Sequence, residues 1–252
     1  MHYAIGLRTS HKPNILQRHL RSSLLQLAII LVVMVPLLVI IGFSRINPHL
    51  FLSGFLASFL RVAVAYLISL VLALLLAFLI TTNRVVENFL LPIFDVLQSF
   101  PSFALIPILA TTLARSPDLV VVAVLVIAMV WPLLFGIIGG LKNRRSDLEE
   151  AATMFGAQGI RRFYSFTLPE LFPSIMTGSI VSWGNAWDLL IGAELLVTVT
   201  GGVGRYLGAL GQQNQRGLLS LGIVAYLLIL FIINKIIWLP LLSKATRYQT
   251  GD

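Results

Sequence analysis

The sequence contains no cysteine. Disulfide scaffolds, Cys-ligated zinc, thiolate nucleophiles and iron–sulfur clusters are therefore excluded. Charge is also scarce. Only 11% of the 252 residues are Asp, Glu, Lys or Arg, against roughly a quarter in an average soluble chain. Three of the four histidines (His2, His11, His19) precede the first apolar run, which leaves only His49 near the apolar runs. A histidine-rich metal site is not supported. No G-x-x-x-x-G-K-[ST], H-E-x-x-H or G-x-S-x-G occurs, so nothing points to nucleotide hydrolysis or to the usual hydrolytic centres. No internal repeat is present, which argues against the repeat-built secondary carriers.

What fills the sequence instead is hydrocarbon. AVILMFWYC make up 58% of it, and the mean hydropathy is +0.93. These values identify an all-α polytopic membrane protein. The run Leu24–Phe43 is about 20 residues long, enough to cross a ~30 Å hydrocarbon core at ~1.5 Å per residue. It is too long for a cleaved signal and reads as a retained first span. Five more spans are expected: Leu60–Ile80, Phe89–Leu113 (interrupted by Pro92, Asp95, Pro101 and Pro107), Leu119–Leu141, Pro173–Val199 and Leu218–Leu239. Arg61 is expected at the start of the second, close enough to the surface to snorkel. The domain plan is a tail of residues 1–23, one transmembrane domain of residues 24–240 and a tail of residues 241–252.

The 18 Lys and Arg outnumber the 10 Asp and Glu. In a soluble chain that excess would suggest nucleic acid. Here the positive residues lie in loops and tails, where they orient the chain and meet anionic lipid headgroups. No nucleic-acid partner is expected. Six spans place both termini on one side, with 12 Lys or Arg in the tails, the 2–3 loop and the 4–5 segment. Five (Arg45, Arg61, Arg115, Arg205, Arg216) fall on the other, with Lys235 assigned to neither. The expected orientation is therefore multi-pass in a plasma (inner) membrane, with both termini and the 4–5 segment cytoplasmic.

Within that 4–5 segment, Lys142–Phe172, residues 146–169 carry a helix signature. Ser146 with Glu149 three residues on forms a capping box, and Asp147, Glu149 and Glu150 place negative charge where the helix dipole favours it. Ala151 and Ala152 are small helix formers. Gly156 can take φ > 0 and turn the chain. A second short helix is expected from about Gly159 to Thr167, stopped by Leu168-Pro169. An ordinary solvated loop is the alternative. A capped helix with a tight glycine turn is suited to docking on another surface.

Glu150-Ala151-Ala152, Gly156 and Leu168-Pro169 match in every spacing the E-A-A, G, L-P pattern of the permease subunits of ABC importers. Where that pattern carries isoleucine, this chain has Phe166, which keeps bulk and apolarity. The segment therefore resembles the EAA motif of that family. The resemblance extends to the group that moves nitrate, sulfonates, taurine and bicarbonate, through Ser99–Pro107, Asn185–Glu194 and Gly201-Gly202-Val203-Gly204. It runs from Phe59 to Lys244. It implies that Glu150, Ala151, Ala152, Gly156, Leu168 and Pro169 couple this chain to a separate ATPase subunit dimer. ATP and Mg would be bound by that ATPase, and no cofactor by this chain. It also implies a second permease subunit, the same or different, and an extracytoplasmic substrate-binding protein.

Asp188 and Glu194 lie inside an apolar run, where a charge costs at least a few kcal/mol and must face the bundle interior or a water-filled cavity. Asn185 and Asp188 share a face, whereas Asp188 and Glu194 are about 240° apart around a helix. Two readings stay open. These residues line a pathway or gate together with Pro101 and Pro107, or they make structural contacts such as an ion pair with Arg61 or Lys235. Trp183 and Trp187, four apart, read as packing. Gly201-Gly202-Val203-Gly204 could be mistaken for a phosphate cradle, but it follows a membrane helix rather than a strand. The expected function is the permease subunit of an ATP-driven importer of a small anion, not an enzyme. An ATP-independent channel or carrier is the alternative.

Overall fold

The computed structural model describes residues 47–250 except 114, 144–153, 155 and 157–158. The chain divides into two units, Met1–Ile46 and Asn47–Asp252. The expected first span Leu24–Phe43 and the tail of residues 1–23 lie outside the described residues. Among the described residues every regular element is helical.

Helix α1 runs from Pro48 to Thr81 and so starts well before Leu60, where hydropathy alone places its beginning. The cause is local. The Asn47 side chain accepts hydrogen bonds from the backbone N–H of His49 and Leu50, and Pro48 occupies the first turn, where its missing N–H has no intrahelical partner to lose. Arg61 therefore lies well inside the helix, is 8% exposed and does not snorkel.

The expected third span is two pieces. Helix α2, Arg84–Gln98, contains Pro92. A 3-10 turn at Ser102–Leu105 and helix α3, Ile106–Thr112, follow. The two halves bend by 81°. Of the three prolines only Pro101 sits at the break, as the residue that caps the 3-10 turn. Pro107 is in the first turn of α3, a position that tolerates proline.

Helix α4, Pro117–Lys142, begins with Asp118 in its first turn and ends with Lys142 in its last, each complementing the helix dipole. After a short helical turn at Gly159–Arg162 and a π-helical segment at Phe163–Thr167, helix α5 spans Leu168–Leu196. The stop expected at Leu168-Pro169 does not occur. The Leu168 N–H reaches back five residues to the carbonyl of Phe163, and this wider π pattern carries the helix across Pro169, which has no N–H of its own to donate. Helix α6 is Val203–Gln212, and α7 runs from Arg216 through Pro240 to Thr250.

Helices α1, α4 and α7 are long and apolar enough to cross a membrane, and the bent α2–α3 pair makes up to a fourth span. Helix α5 has the length of a span, about 43 Å at ~1.5 Å per residue, and carries the polar residues.

The core is α4, packed between α1 and α5. Leu125, Met129, Leu133, Leu134 and Ile137 of α4 have no exposed surface. Glycines bring α4 and α5 together. A Cβ on Gly178 would lie 2.8 Å from the Pro132 carbonyl oxygen, and one on Gly136 would lie 3.2 Å from that of Ser174. Close backbone approach of this kind substitutes for the hydrophobic drive that helices lack inside a bilayer. Side-chain hydrogen bonds add to this: Ser182 Oγ of α5 donates to the Met129 carbonyl of α4 at 2.8 Å, and Tyr66 Oη of α1 pairs with Ser179 Oγ of α5 at 2.8 Å. Trp183 and Trp187 are packing residues, with Trp187 stacked on Phe55 (centroids 5.4 Å apart) and Trp183 edge-on to Trp238 (5.9 Å). Leu52, Leu56, Leu67, Leu75 and Leu79 of α1 are exposed among the described residues.

Gly178→Ala is expected to cost about 1–3 kcal/mol through overpacking against the α4 backbone. Gly184→Ala, where a Cβ meets nothing within 4 Å, should stay within about 1 kcal/mol of the parent. Thermal unfolding of the two variants in detergent checks this; equal losses would contradict the seam.

Candidate functional site: a buried charge network and a bare polar helix face

Three polar features stand out among the described residues. The first is centred on Glu194, in the last turn of α5, which is 1% exposed. Its carboxylate is fully engaged. Arg61 Nη1 donates to Oε1 at 2.6 Å, and the Gly204 N–H donates to Oε2 at 2.8 Å. The Ser58 hydroxyl, one turn before Arg61 on α1, donates to the same carboxylate, lying 2.7 and 2.9 Å from its two oxygens. Ser58 Oγ in turn accepts the Val203 N–H at 2.9 Å. Arg61 is forked: its Nη2 and Nε lie 2.6 and 2.7 Å from Oδ1 of Asp118 in the first turn of α4. Four elements (α1, α4, α5 and α6) thus meet at one cation and one buried anion.

The glycines of the turn before α6 make this possible. Gly202 has φ +152°, and a Cβ there would fall 2.3 Å from Glu194 Oε2. Neither the conformation nor the space admits another residue. The glycine-rich turn is an anion cradle after all, but its anion is the chain's own glutamate, held at a helix N-terminus where N–H groups are unsatisfied. Of the two readings open for Glu194, the geometry supplies the ion pair, with Arg61 rather than Lys235. Hydropathy alone starts α1 too late and so misplaces Arg61; Asn47-Pro48 is the signal for the true start.

The second feature is the opposite side of α5. Asn185 and Asp188 are exposed, in line with Val181 and Gly184. As their spacing predicts, they share a face that excludes Glu194. No part of the described chain covers them. One turn beyond Asp188, the Phe103 ring packs so tightly on Gly192 that a Cβ would meet it at 2.4 Å. The structure thus brings the broken segment after Pro101 against the helix that carries Asp188. Pro107 is exposed at the start of α3.

The third feature lies at the other end of the bundle. Lys142, in the last turn of α4, pairs with Glu87, in the first turn of α2. Beyond Lys142, Glu150, Ala151 and Ala152 lie outside the described residues, as does the Ser146 capping box. Gly156 is described and has φ +64°, with open space around it. It is the backbone conformation, not crowding, that calls for glycine there, as the expected turn requires. Leu168 and Pro169 join the segment to α5 rather than ending it.

Removing one partner of a buried pair leaves an uncompensated charge. Arg61→Ala is therefore expected to destabilise by about 3–5 kcal/mol. Asp118 is half exposed, with 54% of its side chain accessible, so Asp118→Ala should cost less than about 1 kcal/mol. Thermal unfolding of both variants in detergent tests the contrast; similar losses would mean that Glu194 does not depend on Arg61.

Comparison with known proteins gives this arrangement a family. Residues 69–239 match the family described as binding-protein-dependent transport system inner membrane component. A nitrate import permease protein of Synechocystis sp. is 28% identical over 183 residues, covering 70% of this chain and 65% of the relative. A bicarbonate transport system permease protein of the same organism is 28% identical over 159 residues, covering 63% and 56%. A nitrate import permease protein of Leptolyngbya laminosa is 30% identical over 148 residues, covering 59% and 52%. The matched stretches thus span between about half and two thirds of these relatives. With a family match over well more than half of its length, a multi-pass helical build and a buried polar network tying its helices together, the chain belongs to the family of binding-protein-dependent transport system inner membrane components.

Proposed function

We propose that this chain is the permease subunit of an ATP-driven importer of a small anion, of the nitrate, bicarbonate or sulfonate type. The observation that carries the proposal is the bare face of α5. A carboxylate and an amide, Asp188 and Asn185, are exposed inside a helix long enough to span. Lipid cannot cover them at that depth without a cost of a few kcal/mol. A second permease subunit or a water-filled path can. The break at Pro101, whose following turn packs on α5 at Gly192, supports a pathway there, since irregular backbone at membrane depth is tolerated where protein or a cavity surrounds it. An acidic face does not attract an anion by itself; Asp188 fits best where the partner subunit supplies a counter-charge. The names of the relatives support the solute class.

On this reading the Lys142 end of the bundle and both termini face the cytoplasm, in keeping with the excess of Lys and Arg there. A dimer of ATPase subunits, carrying ATP and Mg, docks on residues 146–169 of each permease. Glu150, Ala151, Ala152 and Gly156 form the docked helix and its turn. Leu168 and Pro169 lie in the helical join to α5, so movement of the docked helix acts on the helix that carries Asp188. Closure of the ATPases draws the two segments together and opens the pathway toward an extracytoplasmic binding protein at the Asp118 end. The chain performs no chemistry on the solute.

Gentle purification from the native membrane followed by mass spectrometry tests the assembly. A stoichiometric ATPase subunit is expected, together with one or two kinds of permease chain. If no ATPase appears even after cross-linking through residues 146–169, an ATP-independent channel or carrier takes precedence. Gly156→Pro replaces a left-handed backbone conformation by a residue whose ring locks φ at a negative value. It should leave the chain inserted while reducing substrate-stimulated ATP hydrolysis about 5- to 150-fold, the range of typical coupling free energies. Unchanged stimulation would sink the coupling role of the turn.

A further inference from the structure

We infer that Glu194, with Arg61 as its counter-charge, is a positioning residue. It seats α6 as a bracket across the ends of α1 and α5, and through α6 it reaches α7 around Gly222.

Contacts with α1 and α5 hold α6 in place. The helix has ten residues, too short to be stable alone. At its first turn two backbone N–H groups are tied down, Gly204 by the Glu194 carboxylate and Val203 by the Ser58 hydroxyl that also binds that carboxylate. Gly54 of α1 lets the Gly202 carbonyl approach so closely that a Cβ would lie 3.1 Å from it. Beyond the first turn, Phe51 of α1 meets Tyr206 edge-on at 5.5 Å.

The far side of α6 faces α7. A Cβ on Gly222 of α7 would lie 2.7 Å from a methyl carbon of Leu207, and Leu210 stands 3.8 Å from the same point. Helix α7 also rests on α1 and α5, with Tyr226 against Phe55 and Trp187 and Trp238 against Tyr66 and Trp183. Only 11% of its apolar stretch is buried, against 50% for α4. Its direct tie to α5 at this end is the Tyr226 hydroxyl, which donates to the Trp187 carbonyl at 3.1 Å. The pair of Arg61 and Glu194 thus acts directly on the first turn of α6 and, through Leu207, on α7 only around Gly222.

Neutralising the carboxylate alone sets a carboxamide against three donors (Arg61, Ser58 and the Gly204 N–H) and leaves Arg61 one buried acceptor short. Neutralising both charges removes that conflict and leaves a carbonyl oxygen to accept from Gly204. The rule for buried ion pairs is that breaking one side costs more than replacing both. Positioning by this pair thus predicts that a second substitution repairs the first.

The test uses the full chain in lipid nanodiscs with the subunits that accompany it. Hydrogen exchange is read by mass spectrometry on Glu194→Gln, on Arg61→Met/Glu194→Gln and on the parent. In Glu194→Gln, exchange of the amides of residues 203–207 should rise roughly ten- to a hundredfold, as expected on losing a charge-assisted hydrogen bond. A smaller rise is expected around Gly222, with the α4–α5 seam at residues 129–137 unchanged. The double variant should return α6 most of the way to the parent rate. Because the sequence has no cysteine, Ala209→Cys gives a single site on the exposed side of α6 for a spin label, whose motion should increase and recover in the same order. If Glu194→Gln does not insert, Ser58→Ala, which removes only the bridging hydroxyl, should still raise exchange at Val203 several-fold. Unchanged exchange in α6, a uniform rise across all helices, or a double variant no better than the single one would each overturn the inference.

Discussion

A hydrocarbon environment offers no water to unpaired polar groups, so each charge that enters it must find its partner in protein. In this chain that constraint falls on Arg61 and Glu194. Both side chains are closed off from the surface, and each satisfies the other. Once both are buried, everything else at that end of the bundle is fixed around them. Ser58 must sit one turn from Arg61, Asp118 must open α4 within reach of the guanidinium, and Gly202 must be a glycine to leave room for the carboxylate. Pair and surroundings are mutually required, which is why removing one charge is worse than removing both.

Much of the fold was legible from composition and hydropathy. The class, the spans equivalent to α1, α4 and α7, the helix α5, and the packing role of Trp183 and Trp187 follow from apolar runs and helical spacing alone. Where sequence and structure part, the causes are physical. Hydropathy sets the start of α1 too late, because the chain obeys the cap at Asn47-Pro48. Three prolines in one run look like three interruptions, but a proline in a first turn costs nothing, and only Pro101 breaks the helix. Leu168-Pro169 reads as a stop because proline forbids the regular α pattern; it does not forbid a π turn, in which Leu168 bonds back five residues.

The polar residues divide the same way. Helical geometry already separates Glu194 from Asp188 and Asn185, and that separation is what the structure shows. What spacing cannot supply is the partner. The pairing of Arg61 with Glu194 crosses the whole helix order, and nothing local marks Ser58 or Gly204 as its companions. The glycine-rich turn has the look of an anion cradle in a place where no nucleotide belongs. Its occupant lies in the same chain, at the end of the helix just before it.

The π segment at Phe163–Thr167 has a mechanical consequence. Because the helical backbone is unbroken from Gly159 to Leu196, it forms a single rod about 55 Å long at ~1.5 Å per residue. Its closest approach to the α4 backbone, at Gly178, falls close to the midpoint. Grips continue on either side, at Ser174 against Gly140 and at Glu194 against Arg61, so a push at the Gly159 end passes along one hydrogen-bonded column with no loop to absorb it.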